Sequence, residues 1–531
     1  MSQTAFASSL HMAASERTQS GGNSRAIGFS PSTWTLVILA AGMFLRTAGI
    51  TRSPLWFDES FSLFISRESP AQIVAALRVS LSPPAWELLL HVVGRLLGWS
   101  ELNVRLPALM SSLLALWVFY RLTQVLLLSH NQQIFALALY ALAPYQFWMA
   151  QDARMYAVFN LLFLVGILWV VEKRWLGVTA ITGLMLWFHN TGLLFLPALA
   201  VMALLLHPED WKRTTVAFFL GGVTWLPWAW IVFKQAGVVV PWYANALSIQ
   251  GFLGSILAGV FVFTLPARWM LAALWLLIFS LLWLVLQLVL AWIKGFRFED
   301  GKHTWEILSF RSANFPASQE AEMNRKVMTC SLAVLIFVPV GMFILSATVA
   351  QNVLSYRTIS PLMAPLALGF AAALLPGQIK VISLILEGAW LFFLGIALLG
   401  WSPSVKGSNL REVVDLIAGQ LQPGDVIYHA GGTTALPFWF YLPQARHYLL
   451  DEEHLLGEVD VGLANLPIAK AVLEDIPHER AWVVWSRDKF QKWYNPQADI
   501  RMANYIQDCQ LVGQVWYWQM AETQVFLCGA R

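Results

Sequence analysis

Asp58 and Glu59 stand side by side in SPLWFDESFSLF, residues 53–64, directly after the first long apolar segment. A second acid, Asp152, lies two residues ahead of Arg154 and four ahead of Tyr156 in QDARMY, again just past an apolar segment. His189 and the Tyr356-Arg357 pair hold the same kind of position further along. A carboxylate in a partly dry site serves as a general base towards a hydroxyl. A guanidinium presents a planar fork matched to phosphate. The set therefore suits a reaction in which a hydroxyl attacks and a phosphate leaves. Each residue also has an ordinary reading. Asp58–Glu59 marks the water boundary, Arg154 snorkels, His189 is a satisfied turn histidine, and Arg357 stabilises a helix end. Chemistry is favoured only if the segments that carry these residues bring them to one surface.

Those segments are apolar enough to cross a membrane. Of 531 residues, 58% are hydrophobic and only 12% are charged, which excludes an ordinary soluble globule and points to a polytopic α-helical membrane protein. A crossing takes about 20 apolar residues. Eleven spans are expected, at roughly 32–50, 105–128, 132–150, 155–171, 175–190, 191–206, 214–234, 266–293, 327–349, 358–375 and 379–400. The apolar stretch 249–263 is short and glycine-broken; it reads as interfacial or re-entrant, or as a twelfth span. Residues 1–31 are polar and serine-rich, with no apolar signal core, and read as a disordered cytosolic tail. Lys173, Arg174, Lys212, Arg213, the basic residues of the 294–326 loop and Lys380 then share one side, the cytoplasmic one. Asp58, Glu59, Asp152, Arg154, Tyr156, His189, Tyr356 and Arg357 follow odd-numbered spans, so parity alone delivers them to the opposite, extracytoplasmic face. Arg46 is read as a boundary charge. The 294–326 loop has no chemistry to assign.

The long outer segment 51–104 contains two stretches, 70–79 and 84–97, that are too short to span and carry apolar faces with Glu87, His91 and Arg95. After residue 401 the chain changes character. NLREVVDLIAGQL reads as a helix, and VIYHA, AWVVWSR, QVWYWQM and TQVFLCG read as strands of a small extracytoplasmic α/β domain, 401–531. A hairpin turning near Glu522 does not set Cys509 opposite Cys528, which disfavours a bridge between them. Cys330 falls in an apolar span, and no Cys/His spacing suggests zinc. The net charge of +3 without any Lys/Arg block argues against a nucleic-acid partner.

LWFDESFSLF, SPPAWELLLHVVGRLLGWSELNVRLPALMSSLLALW, APYQFWMAQDARMYAVFNLLF, WFHNTGLLFLP and YRTISPLMAPLALG occur in that order across residues 34–400. In them the chain resembles the GT-C superfamily of membrane glycosyltransferases, in particular the bacterial family-39-like branch related to protein O-mannosyltransferases and the lipid A aminoarabinose transferase. The resemblance implies a GT-C module with amphipathic helices in its first outer loop, in a bacterial plasma membrane. It implies a polyprenyl-phosphate sugar donor and a lipid, glycan or protein acceptor. It maps the catalytic base to Asp58 with Glu59 beside it, the second acidic site to Asp152, the A-R-x-Y residues to Arg154 and Tyr156, and the donor-phosphate arginine to Arg357. His189 and Tyr356 line the pocket. The family leaves a divalent metal open; Asp58 and Asp152 are the pair that would share one.

The expected reaction is an inverting single displacement, with Arg357 and Arg154 on the phosphate, and Trp56 and Trp148 as stacking surfaces for sugar. A polytopic transporter or lipid flippase is the competing reading. It calls for polar residues near mid-membrane, whereas the stretch 271–290 offers only Gln287. A noncatalytic assembly protein would have no use for two acids and two arginines at one rim.

Overall fold

Serine caps and prolines set where the helices of this computed structural model begin and break. The structure describes residues 32–78, 82–235, 249–261, 264–294, 318–348, 354–374, 380–401, 410–430, 432–450, 468–471, 480–488, 496–517 and 521–529. The expected cytosolic tail and most of the 294–326 loop lie outside them. Two compact units divide the chain, residues 1–37 and 38–531; the described part of the first is the opening of α1 (Thr33–Thr47).

Among the described residues, three helices occupy the segment between α1 and Ser100: α2 (Phe57–Ser66), α3 (Pro70–Leu77) and α4 (Ala85–Leu97). The latter two match the short amphipathic stretches read from sequence; α2 was not expected. Ser69 with Gln72, and Pro70 in the first turn, start α3. Ser100 accepts the Asn103 N–H at 3.2 Å and starts α5 (Glu101–Val125). The expected third span is split. Pro144 forces Ala143 into an extended conformation, separating α6 (His130–Leu142) from α7 (Pro144–Ala150).

The chain continues through α8 (Tyr156–Val171), α9 (Trp175–Phe188), α10 (Gly192–Leu206), α11 (Trp211–Val223), α12 (Leu226–Gln235), α13 (Ile249–Phe261), α14 (Ala267–Lys294), α15 (Ser318–Thr348), α16 (Met363–Ala372) and α17 (Lys380–Leu399). Helical segments thus lie at all eleven expected positions. By length and composition only four described helices are sufficient to cross a membrane, within α5, α14, α15 and α17, and the chain turns by 118° between α10 and the helical stretch after it. Phe44, Leu176, Phe219, Phe233 and Leu399, on different helices, are all at least two-thirds exposed. Apolar side chains turned outward in this way belong in a bilayer rather than in water. The stretch 249–263 contributes the short helix α13. A Cβ at Gly259 would come within 3.1 Å of Ile359, so this glycine lets α13 approach the segment that bears Arg357.

Arg46 is not a boundary charge. It is fully buried; its Nε donates to Ser112 Oγ at 3.0 Å, and Nη1 donates to the carbonyls of Gly42 and Ala141 at 2.9 Å each. Ser112 leads on to the Gln146 carbonyl, and Asn160 donates to Tyr140 and to the Gln146 side chain. These side chains are buried among one another, so the chain of polar groups ties α1, α5, α6, α7 and α8 together.

The C-terminal part of the chain comprises α18 (Leu410–Ala418), α19 (Gly432–Tyr441), α20 (Pro496–Tyr505) and six described strands: β1 (Val426–Ala430), β2 (Arg446–Leu450), β3 (Ala469–Ala471), β4 (Ala481–Asp488), β5 (Gln510–Tyr517) and β6 (Ala521–Cys528). The sheet order is β3-β2-β1-β4-β6-β5, parallel from β3 to β4 and antiparallel over the last two pairings. The absence of a Cys509–Cys528 bridge was the wrong expectation. Tyr517 pairs with Ala521 and Trp516 with Glu522, so Glu522 lies inside the ladder rather than at the turn. Gln510 then pairs with Leu527, and the two cysteines follow next in register and form a disulfide with 4.4 Å between their Cα atoms. Beneath α19, His429 and His447 are buried and stacked, with ring centroids 5.3 Å apart. His447 Nε2–H donates to the Leu442 carbonyl, which leaves its Nδ1 to accept from His429 Nε2–H at 3.0 Å. Thr434 Oγ1 then serves His429 Nδ1. Both rings are neutral in this network.

Candidate active site

Helix α2 begins on the acid pair, since carboxylates are favoured where the first N–H groups of a helix are unsatisfied. Glu59 is fully buried, and Arg105 of α5 meets both of its oxygens at 2.7 Å. Its Oε1 also accepts the Ala153 N–H at 2.8 Å, and its Oε2 the Trp56 N–H at 3.3 Å. Arg105 further donates to the carbonyls of Ile50, Ser53 and Pro54. This pair therefore fastens the loop before α2 to the loop after α7. A buried pair of this kind contributes little net stability over apolar packing, but is costly to break.

Asp58 faces the other way. Its Oδ2 receives Arg357 Nη1 at 2.5 Å, with both side chains about a quarter exposed. The Arg357 guanidinium lies 4.5 Å from the centroid of the Trp56 ring, and Arg357 Nε donates to Tyr356 Oη at 3.1 Å. Trp56 Nε1 donates to Asp152 Oδ1 at 2.9 Å. Trp148 and Tyr145 pack against Tyr356, with ring centroids 5.9 and 5.8 Å away. The expectation that Trp56 and Trp148 offer open faces to sugar is thus not met. Both are buried, and Arg357 stacks on Trp56.

Arg154 supplies a second guanidinium. Its Nη1 donates to Ser62 Oγ at 2.6 Å and to the Asp58 carbonyl at 3.3 Å. Ser62 Oγ in turn donates to Glu87 Oε1 at 3.0 Å. Glu87 is buried, and its Oε2 has no hydrogen-bond partner among the described residues. Burial pushes the Glu87 carboxyl up, against the opposing pull of Arg154 and Ser62. Tyr156 opens α8 and packs against His189, with ring centroids 5.7 Å apart. His189 Nδ1 lies 3.1 Å from the Thr191 N–H, which donates to it, so the ring helps to start α10.

The structure brings Asp58, Asp152, Tyr356 and Arg357 into one constellation around Trp56, and joins Arg154 to it through α2. Tyr156 and His189 form a second pair. Glu59 is adjacent in sequence but points into the Arg105 knot. Arg105, Ser62 and the site contacts of Trp56 were missed. Arg105 had a usable signal, because an ionisable residue at the start of an apolar span is a functional candidate by default.

A divalent metal between Asp58 and Asp152 does not fit the groups present. Asp58 Oδ2 faces a guanidinium, Asp152 Oδ1 accepts an indole N–H, and the described residues contain no cluster of three or more His, Cys, Asp or Glu able to hold a metal ion.

An open cavity of about 640 Å³ lies between α10 and α15, lined by Leu194, Val201, Ile336, Val340, Ile344 and Leu345 among others. On α15, Met342 Sδ is approached by Thr358 Oγ1 at 3.9 Å, one residue from Arg357.

No family model matches the chain, and no curated protein matches it. Among solved structures it is similar to ArnT from Cupriavidus metallidurans bound to undecaprenyl phosphate, with 15% identity and a TM-score of 0.44 over 94% of this chain and 98% of that one. It is likewise similar to ArnT from Cupriavidus metallidurans in the apo state, with 14% identity and a TM-score of 0.45 over 93% and 97% of the two chains.

Proposed function

We propose that the protein is a membrane glycosyltransferase that moves a sugar from a polyprenyl-phosphate donor to an acceptor hydroxyl at the extracytoplasmic face. The observation that carries this reading is the Asp58–Arg357 pair, a partly exposed acid and guanidinium in direct contact within a site whose other acids are buried. On this reading the donor phosphate takes the place of the Asp58 carboxylate on Arg357. Asp58, released, accepts the proton of the acceptor hydroxyl as its oxygen attacks the anomeric carbon. The carbon–oxygen bond to phosphate breaks, and the lipid phosphate leaves with its growing charge held by Arg357, helped by Arg154. Attack opposite the leaving group inverts the anomeric centre. Asp152 keeps Trp56 under Arg357, and Glu59 with Arg105 keeps α2 in place; both are positioning roles.

The apolar cavity between α10 and α15 suits an isoprenoid tail, and its helix α15 touches the segment that carries Arg357. The Cys509–Cys528 disulfide supports an outer location for the last domain, because such bridges persist in oxidising compartments.

The test is transfer by the purified full-length protein in sealed proteoliposomes, supplied with a radiolabelled polyprenyl-phosphate sugar. Release of lipid phosphate together with label on an acceptor is expected. Movement of intact donor across the bilayer without cleavage would instead identify a flippase.

A further inference from the structure

One helix of the outer domain grips both ends of the helix that carries Asp58. At the front, Tyr441 Oη accepts the Leu55 N–H at 2.7 Å, three residues ahead of Asp58 and next to Trp56. The same hydroxyl donates to Glu101, whose Oε2 also receives Arg411 Nη2 at 2.6 Å. Glu101 lies one turn ahead of Arg105 on α5, and Arg105 holds Glu59. At the back of α2, the Trp439 ring meets Phe64 edge-on at 5.6 Å, and the Arg67 guanidinium sits 5.0 Å from the centroid of that ring. Trp99 lies on the same guanidinium at 5.6 Å. It reaches there across Gly94, where a Cβ would stand 2.4 Å from its ring.

We propose that Tyr441 of the outer domain is a positioning residue for Asp58, fixing the backbone that leads into α2 and so the placement of Trp56, Arg357 and the base. The inference rests on the function proposed above and assigns that domain a part in the reaction. Leu55 is fully buried, so its N–H has no ready substitute for the phenol oxygen. Without that oxygen the segment 54–56 keeps its backbone bonds to Arg105 and Glu59, and Leu55 between them is free to shift. A misplacement of about 1 Å at a reacting group lowers turnover by up to roughly 100-fold. Trp439 acts six to nine residues beyond the base, on the far end of α2, and matters less.

Tyr441→Phe removes only the hydroxyl. In nanodiscs, the full-length variant is expected to lose on the order of 10-fold in kcat, with the donor KM little changed. Backbone amides of 54–66 should exchange faster with deuterium, while β4, β6 and α8 keep wild-type protection. Trp439→Leu is expected to lower kcat less. Wild-type kcat with wild-type exchange over 54–66 in Tyr441→Phe would overturn the proposal. So would loss of protection throughout the outer domain, which would mean unfolding rather than loss of position, and so would an equal fall in kcat for Trp439→Leu. If the wild type itself transfers no sugar, the proposed function fails, and the exchange comparison still decides whether Tyr441 fixes the segment.

Discussion

Arg357 Nη1 stands 2.5 Å from Asp58 Oδ2, although 299 positions separate the two residues in the chain. The pair joins α2 to the segment ahead of α16. On the proposed mechanism the carboxylate and the donor phosphate compete for one guanidinium.

That competition has a measurable signature in Asp58→Asn. Turnover should fall by about 10²–10⁴-fold, the usual loss when a general base is removed. Affinity for a polyprenyl phosphate should rise, because the competing charge is gone. Transfer assays and binding titrations on the same preparation decide it; near-normal turnover, or weaker lipid-phosphate binding, would refute the assignment.

Arg357→Lys keeps the charge and loses the fork and the stack on Trp56. Hydrogen bonds to charged groups contribute about 1.5–3 kcal/mol, so kcat/KM for the donor should drop by roughly 10- to 150-fold. An unchanged kcat/KM would remove Arg357 from the donor site.

The Glu59–Arg105 knot predicts a different pattern. Arg105→Met strands a buried carboxylate and should cost about 3–5 kcal/mol, read as a lower melting temperature of the nanodisc-embedded protein. Adding Glu59→Gln should recover part of the loss, since the neutral side chain still accepts the Ala153 N–H. A double variant no more stable than Arg105→Met would show that the ion pair is not what holds the loop.

Acid should loosen the outer domain. Burial lowers the pKa of both His429 and His447 from 6.5, and His447 lowers His429 further. The unfolded chain therefore binds more protons than the folded one as pH falls through 6.5 towards the lowered values, and stability declines over that window. Protection of β1 and α19 against hydrogen exchange, corrected for intrinsic rates, should be weaker at pH 5.5 than at pH 7.5. Equal protection at the two values would contradict it.

Reducing the Cys509–Cys528 bridge, or replacing both residues by serine, should destabilise the domain by about 3 kcal/mol, given the 19-residue separation. Chemical denaturation followed by Trp fluorescence, with and without reductant, measures it.

Much of this was legible beforehand for physical reasons. Apolar windows mark helices, and Asp58, Asp152 and Arg357 stand out beside them, because burying such groups is costly. The short helix α2 was harder to see. Its evidence is the acid pair itself, which reads equally well as a water boundary. The direction of Glu59 depended on Arg105, 46 residues away. Between Tyr517 and Ala521 the sequence has no Gly, Pro or Asn, so no turn signal fixed the register of β5 on β6, and the disulfide was misjudged. Strands β2 and β3 and helix α19 lack a clear periodic signal; β2 emerges from pairing with β1, β3 from pairing with β2, and α19 from packing on α2.

The bond between Leu55 and Tyr441 spans 386 residues. On the proposed topology the loop bearing Asp58 crosses the membrane early, and its anchor is translated only after α17 has been made. On the proposed roles, a nascent chain halted before residue 441 would carry every acid and arginine of the candidate site and still lack the bond that seats α2.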